Sequence, residues 1–305
     1  MSEQFKTEIT AKFIEKGLSE SSVNLYLAKA KKLNNGVEIK NLNFLKKTDD
    51  IKKQLDAIEN LNTRKSYATA IVSLLRESQK LPKLLVLYQG IMMEMIASVN
   101  AIDPAVKTEK QEKNWMSWSE VIALHNGLKA KVLNSPVEEV KENMLFRKLY
   151  ADYMLLSLYV LFPPRRALDY FQMVITTDGT MEDLTKNYYD VTSNKFVFNV
   201  YKTSASNGQE SFKVSPYLQE VIVEHIKAFD LKHMSFILRN QDNIAPESIT
   251  WITKSLNRIF DSKISVSMLR HIYLSSEYGE TVKKMDNDSK AMSHSSAMQK
   301  DYIKN

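Results

Sequence analysis

The first hundred residues consist of short stretches in which apolar side chains recur three and four positions apart. This spacing gathers the apolar side chains on one face of an α-helix and leaves the other face polar. Gly17 can end the first helix, and Ser19 is a suitable N-cap for the second. Pro82 can open the last one, which we expect to end near Pro104. The pattern predicts a helical domain over residues 1–103, with helices at 8–15, 19–33, 49–59, 63–77 and from 82 onward.

Residues 104–115 are polar and charged and include three lysines. We interpret this segment as a linker to a second domain over residues 116–305. That domain opens on Ser117, which has Glu120 three positions later and therefore matches a capping box. Helical spacing then recurs over residues 136–143, 145–162, 218–229, 246–260 and 265–278, and two short helices are expected after these.

One region of the second domain has the alternating pattern of a β-strand. Phe196, Phe198 and Val200 are alternate residues within 188–201, which predicts a strand. Residues 204–208 predict a turn, and residues 209–215 predict a strand that returns beside the first. The predicted fold class is therefore mainly α: an N-terminal helical bundle, then an α+β domain with a small antiparallel β-sheet.

Composition agrees with this fold class and excludes several others. Only 7 of the 305 residues are Gly and 7 are Pro, which disfavours a turn-rich all-β fold, and the 44% hydrophobic and 26% charged residues are typical of a soluble globular protein. The chain has no cysteine, which excludes disulfides and thiol nucleophiles. There is no run of about 18 apolar residues and no apolar signal segment at the start, so we expect an intracellular protein that does not cross a membrane.

The chain is basic, with a net charge of +6 and a pI near 9.1. Most of the excess lies in the N-terminal part: residues 1–113 contain 19 basic and 14 acidic residues, and the remainder contains 23 and 22. A basic N-terminal domain fits nucleic-acid binding, although lysine-rich solvated helix faces have the same composition.

Candidate chemistry lies near the end of the chain. Arg270 occurs in an otherwise apolar helical stretch, and because an arginine is costly to bury alone, we expect it to face an anion or a carboxylate. Ser267 shares its helix face, whereas His271 points about 100° away. Downstream, His294 precedes two serines that can cap a helix bearing Tyr302.

A second cationic position follows the Pro163-Pro164 pair, which ends the preceding helix. Arg165 and Arg166 then stand at the start of a new helix, where the helix dipole also favours an anion. Asp169 follows Arg166 by three residues. An ordinary capping pair between arginine and aspartate is the alternative interpretation.

Together these motifs resemble the tyrosine recombinases, the family that includes phage integrases and the recombinases of mobile elements and large DNA viruses. Leu269-Arg270-His271 is similar to the second arginine box of the family, and Ser293-His294-Ser295 followed by Tyr302 is similar to its histidine box and nucleophile. Arg166 with Asp169 is similar to its first arginine box, in which a carboxylate at that spacing orients the helix. Two departures stand out: Ser267 occupies a position that is usually histidine, and His294 and Tyr302 are eight residues apart where nine is commoner.

The resemblance implies an enzyme that cuts and rejoins DNA strands through a 3′-phosphotyrosyl intermediate, without metal, nucleotide or other cofactor. Tyr302 would attack the phosphate, Arg166 and Arg270 would hold its charge, and His294 would support them. Lys202 matches the hairpin lysine that protonates the leaving 5′-oxygen.

Several further residues belong to this prediction. Lys213, on the return strand, is the alternative to Lys202, and Ser267, His271 and Asp169 would line the pocket. The segments 18–26 and 62–67 resemble helices of the core-binding domain of the family, which with the catalytic domain closes around a duplex. Arg64 and Lys65, in the second of these segments, are therefore candidate DNA contacts. Arg165, beside the first arginine box, is a further candidate for a contact to the DNA backbone.

Two other functions remain open from the sequence. A type IB topoisomerase uses a similar set of residues to relax supercoils, and a DNA-binding protein on the same scaffold could have lost cleavage, which Ser267 and the shortened His–Tyr spacing would favour. The expected partner is double-stranded DNA. We expect a monomer or weak dimer without DNA and self-association into a dimer or tetramer on DNA.

Overall fold

The computed structural model describes residues 2–103 and 105–302. The chain divides into two compact units, which we call the N-terminal unit (Met1–Lys107) and the C-terminal unit (Thr108–Asn305). The division falls inside the segment that the sequence predicts as a linker. Pro104, at the expected start of that linker, lies outside the described residues.

The N-terminal unit is helical, as predicted. Ser19 caps the second helix by accepting a hydrogen bond from the Ser22 amide, and Gly17, at φ +81°, follows the first helix. Tyr88 is fully buried and donates a hydrogen bond from its hydroxyl to the Leu45 carbonyl at 2.8 Å. The helices are α1 Ser2–Glu15, α2 Glu20–Leu33, α3 Thr48–Asp56, α4 Leu61–Ser78 and α5 Pro82–Asn100, with a 3-10 turn at Asn43–Lys46.

The C-terminal unit is built around one buried helix, α8 (Met144–Val160), in which every side chain from Tyr150 to Tyr159 is buried. Arg258 forms an ion pair with the buried Asp152 of this helix. The other helices are α6 Glu109–Asn114, α7 Trp118–Leu133, α9 Ala167–Phe171, α10 Ser204–Asn207, α11 Pro216–Phe229, α12 Thr250–Phe260, α13 Val266–Ala291 and α14 Ser296–Tyr302, with a 3-10 turn at Val137–Lys141.

The start of this unit confirms one prediction and corrects another. Ser117 and Glu120 form both hydrogen bonds of the predicted capping box. The predicted linker, however, contains helix α6, which has a capping box of its own between Thr108 and Gln111. Asn114, at the end of α6, accepts hydrogen bonds from Ser262 and from the Lys263 amide, so residues 108–115 belong to the C-terminal unit.

The sheet has four strands in the order β1 Val174–Thr176, β2 Tyr188–Asp190, β3 Lys195–Phe198 and β4 Glu210–Lys213. Strand β1 is parallel to β2 and the other pairs are antiparallel, so the sheet is mixed and the expected antiparallel sheet is wrong at this edge. The single strand predicted over 188–201 is two strands. Asp190 accepts a hydrogen bond from the Thr192 amide and Asn194 has φ +51°, which reverses the chain between them.

Helix α13 is much longer than predicted. We expected it to end at Tyr278 and to be followed by two short helices, but it continues through Gly279 to Ala291 and one further helix, α14, follows it within the described residues. No proline occurs in this run, and a Cβ on Gly279 would meet open space. No helix in the described part of the chain is both long and apolar enough to cross a membrane.

Candidate active site

Arg166 is the N-cap residue of α9, with extended backbone angles of −72° and 154°. Its side chain is half-buried. Among the residues that the structure describes, its guanidinium has no hydrogen-bond or ion-pair partner. This leaves its donors available for an anion at the start of α9.

Arg165 has the opposite surroundings and corrects two predictions. Its Nε donates to Asp169 Oδ2 at 2.8 Å, and its Nη2 lies 3.1 Å from Glu210 Oε2 on β4. The guanidinium carbon lies 3.9 Å from the centre of the Phe198 ring. Arg165, not Arg166, is therefore the ion-pair partner of Asp169, and its guanidinium is occupied by protein groups instead of serving as a free DNA contact.

Asp169 is 2% exposed. Burial raises the pKa of its carboxyl above the ordinary value, and the hydrogen bond and charge of Arg165, with the charge of Arg166, oppose that rise. Its second oxygen, Oδ1, is buried and has no hydrogen-bond partner of ordinary geometry in the described structure, although the Arg166 amide is near enough to lower the pKa of the carboxyl as well. The negative charge of the buried Asp169 is therefore stabilised mainly by Arg165.

Lys202 lies in the loop between β3 and β4, which we call the Lys202 loop (199–209). Strand β3 ends at Phe198, so Lys202 lies four residues beyond the strand and not directly after it, where the predicted strand over 188–201 would place it. The side chain is exposed, and among the described residues it has no partner. Lys213, the alternative, is exposed on β4 opposite Lys195.

Arg270 lies near the start of α13, whose N-cap Ser265 accepts a hydrogen bond from the Met268 amide. Leu269 is fully buried and fixes this turn of the helix in the core. Arg270 is half-buried and, within the described parts of the chain, its guanidinium is unpaired. Ser267 and His271 are both exposed.

The turn between α13 and α14 has the hydrogen bonds of a Schellman motif. The His294 amide donates to Ser289 O at 3.0 Å and the Ser293 amide donates to Lys290 O at 3.1 Å. Ser293 takes the left-handed conformation that this motif requires, at φ +55°. Ser295 then caps α14 by accepting a hydrogen bond from the Met298 amide, as the sequence predicts for this serine.

This turn brings His294 and Tyr302 together. Their ring centres are 5.8 Å apart with 30° between the ring planes. His294 Nδ1 lies 3.2 Å from the Ser295 carbonyl oxygen. Nε2 lies 3.3 Å from Met292 Sδ. A carbonyl oxygen can only accept and is a stronger acceptor than a thioether sulfur, so we assign the proton of the neutral ring to Nδ1, which leaves Nε2 unprotonated beside the sulfur. Tyr302 is 70% exposed.

Of the five predicted catalytic residues, the described structure brings only two into contact. His294 and Tyr302 are adjacent. No hydrogen bond, ion pair or ring contact within residues 2–103 and 105–302 joins Arg166, Lys202 or Arg270 to that pair. No three acidic or histidine side chains in these ranges are grouped to hold a metal ion.

Sequence reasoning missed Asn187 and Glu210. Asn187 is buried and its side-chain amide hydrogen-bonds to both the α9 segment and the Lys202 loop. Glu210 is the second carboxylate on Arg165. Both contact residues that are distant in the sequence, so no local sequence pattern could have predicted their roles.

In the N-terminal unit, one predicted DNA contact is engaged elsewhere. Arg64 donates to the carbonyls of Ile58 and Asp56, each at 2.9 Å, and so binds the end of α3. Lys65 is half-buried, and no ion pair to it occurs among the described residues. Lys29 and Lys32, which the sequence did not single out, both lie within 6 Å of the Tyr67 ring centre, at 5.8 and 5.9 Å.

No protein-family model matches this chain, and no curated protein or solved structure is significantly similar to it.

Proposed function

We propose that this protein is a site-specific DNA recombinase or integrase that cuts and rejoins DNA strands through a phosphotyrosyl link at Tyr302. The observation that carries the proposal is the pairing of His294 with Tyr302 across a Schellman turn. A free phenol is a poor nucleophile near neutral pH because its ordinary pKa is about 10. An adjacent histidine with an unprotonated Nε2 is the kind of base that activates it.

The arginines of the C-terminal unit give independent support. Four of the six hydrogen-bond to protein groups: Arg147 to Gln241 O, Arg165 to Asp169, Arg239 to Asn243 O and Arg258 to Asp152. The other two, Arg166 and Arg270, are half-buried and have no partner among the described residues. A partly desolvated guanidinium without a carboxylate favours an anionic ligand. These two are the residues to which the resemblance assigns the phosphate.

The proposed reaction balances without a cofactor. Tyr302 Oη attacks the phosphorus, and a P–Oη bond forms as the bond from phosphorus to the 5′-oxygen breaks. The phenol proton passes to Nε2 of His294, and Lys202 supplies a proton to the departing oxygen. Arg166 and Arg270 stabilise the charge that develops on the non-bridging oxygens. Attack by a 5′-hydroxyl on the phosphotyrosine reverses these steps and rejoins the strand.

The proposal is tested with a pool of random-sequence duplexes that each carry a nick. A nick lets the short 5′-hydroxyl fragment diffuse away, so the covalent intermediate accumulates and resists denaturation. We expect the wild-type protein to form an adduct of reduced gel mobility, and Tyr302→Phe to form none. Tyr278→Phe, which alters another exposed tyrosine, is the matched control and should react like wild type.

The same assay separates the alternatives. A protein that forms the adduct and relaxes supercoiled plasmid, but does not exchange strands, would favour a type IB topoisomerase. Binding to duplex DNA with no adduct from the wild-type protein would favour a DNA-binding protein that does not cut, and would reject the enzymatic proposal.

A further inference from the structure

The side chain of Asn187 makes four hydrogen bonds, all that its amide group can make. Its Nδ2 donates to Asp169 O at 2.9 Å and to Val200 O at 2.8 Å. Its Oδ1 accepts from the amides of Asn199 and Val200, each at 2.8 Å. Asn187 is 5% exposed. One buried side chain therefore links the segment that follows Arg166 to the first residues of the Lys202 loop.

Arg165 links the same two parts of the unit from the other side. It is adjacent to Arg166 and bridges Asp169 of α9 to Glu210 of β4, the first strand residue after the Lys202 loop. Its guanidinium stacks on Phe198, the last residue of β3, and lies 5.4 Å from the centre of the Tyr201 ring. Arg165 thus contacts residues on both sides of the loop.

The Lys202 loop is also closed on itself. The Tyr201 hydroxyl donates to Gly208 O at 2.8 Å, and Gln209 Nε2 donates to Asn199 Oδ1 at 2.6 Å. Lys202 has no partner of its own in the described structure, so the position of its ammonium group depends on the backbone of this loop. Whatever holds the loop against α9 also fixes Lys202 relative to Arg166.

We propose that Asn187 and Arg165 are positioning residues that hold Lys202 and Arg166 in a fixed relation, so that both reach one phosphate. The inference rests on the proposed function. A non-bridging oxygen and the 5′-oxygen are attached to the same phosphorus atom, so the group that stabilises one and the group that protonates the other must keep a constant separation. Neither Asn187 nor Arg165 needs to touch the DNA.

The test separates misplacement of Lys202 from a general loss of structure. It compares a nicked duplex, built on a sequence recovered from the trapped adducts, with the same duplex carrying sulfur in place of the bridging 5′-oxygen. A thiol has an ordinary pKa near 8.5, so the sulfur leaves as a thiolate and needs no proton. A defect confined to Lys202 should therefore disappear on the sulfur substrate.

Glu210→Ala is the informative variant. It removes the contact between Arg165 and β4 at a partly exposed residue and leaves the pair of Arg165 with Asp169 in place. Asn187→Ala removes the second link. The matched control is Glu280→Ala, which removes one negative charge at an exposed position of α13. Thermal unfolding of each variant monitors the fold.

We expect Lys202→Ala to slow cleavage of the oxygen substrate by about 10²- to 10⁴-fold, the usual effect of losing a general acid. Glu210→Ala and Asn187→Ala should slow it by about 10- to 100-fold, as for a misplaced group. All three should recover on the sulfur substrate. Arg166→Ala should be slow on both substrates, and Glu280→Ala should match wild type on both.

Two results would overturn the inference while leaving the proposed function intact. Glu210→Ala and Asn187→Ala could cleave the oxygen substrate at the wild-type rate, or Glu210→Ala could be slowed equally on both substrates while folding normally. A wild-type protein that forms no adduct with either substrate would instead reject the proposed function, and this inference with it.

Discussion

Two adjacent arginines at the start of α9 have opposite energetic roles. Arg165 forms an ion pair with the buried Asp169, whereas the Arg166 guanidinium has no hydrogen-bond or ion-pair partner in the described structure. Removing one member of a buried ion pair leaves an uncompensated charge, which typically costs about 3–5 kcal/mol. A partly desolvated cation without a partner contributes little to folding. The same residue type therefore serves the fold at one position and is available for binding at the next.

The two adjacent arginines allow a matched comparison of stability. Arg165→Ala should lower the free energy of unfolding of the C-terminal unit by about 3 kcal/mol or more, because Asp169 loses its cation. Arg166→Ala should lower it by about 1 kcal/mol or less, because the Arg166 guanidinium forms no ion pair in the described structure and its charge acts on Asp169 only at a distance. Urea unfolding followed by circular dichroism measures both. Equal losses in the two variants would contradict these assignments.

His225 predicts a dependence of stability on pH. It is 2% exposed, and its Nε2 donates to Ile237 O at 2.9 Å. Burial lowers the pKa of His225 from 6.5 to about 4. Between these values the unfolded chain binds a proton that the folded chain does not. The contribution of His225 is therefore complete above about pH 6.5 and declines by roughly 3 kcal/mol as the pH falls to 4.

The measurement is urea unfolding at a series of pH values between 4 and 7. His225→Phe keeps a ring beside Phe229, whose ring centre is 4.5 Å away, but cannot titrate. We expect the loss of stability below pH 6.5 to be smaller in this variant than in wild type. Parallel curves for the two proteins would show that His225 is not responsible.

At the scale of helices and strands, the sequence predicts starts better than ends. Ser19 and Ser117 mark helix starts because an N-cap acts within one turn of its own position. Helix α13 ends where Ser293 takes a left-handed conformation. Serine rarely adopts this conformation, so the sequence does not indicate a helix end there. Strand β1 is three residues long and is paired in parallel with a strand that begins at Tyr188, so no local pattern predicts it.

The exposed middle of α13 offers a test of helix propensity. Gly279 lies in the helix interior, and a Cβ there meets no atom within 4 Å. Gly279→Ala should raise the free energy of unfolding by about 0.5–1 kcal/mol, because glycine loses more backbone entropy in a helix. Gly179→Ala is the control: it has similar open space but φ +80°, so it should destabilise. Stabilisation by both, or by neither, would contradict this account of α13.

At the scale of the whole chain, each unit has its own apolar core. The N-terminal core includes Ile71, Leu74 and Tyr88, and the C-terminal core surrounds α8. Each is large enough for an independently folding domain. We expect fragment 108–305 to unfold cooperatively on heating, with near-ultraviolet circular dichroism that reports fixed aromatic packing. A fragment with helical signal but no cooperative transition would contradict this expectation.

The sequence predicts the candidate site as an ordered set of residues, but it does not predict how these residues are arranged in space. His294 and Tyr302 are eight residues apart, so a turn at Ser295 suffices to bring them together, and the structure has that turn. Arg166 and the Lys202 loop are connected through Asn187, Arg165 and Glu210, whose contacts arise only from the fold. For the same reason the sequence assigned Asp169 to Arg166, and only the fold shows that its ion-pair partner is Arg165.

The most direct test of the account is to identify the amino acid that becomes attached to DNA. The trapped adduct is digested with nuclease and protease and sequenced by tandem mass spectrometry. We predict a nucleotide joined through its 3′-phosphate to the phenol oxygen of Tyr302. A nucleotide on any other residue, or linkage through a 5′-phosphate, would contradict the account.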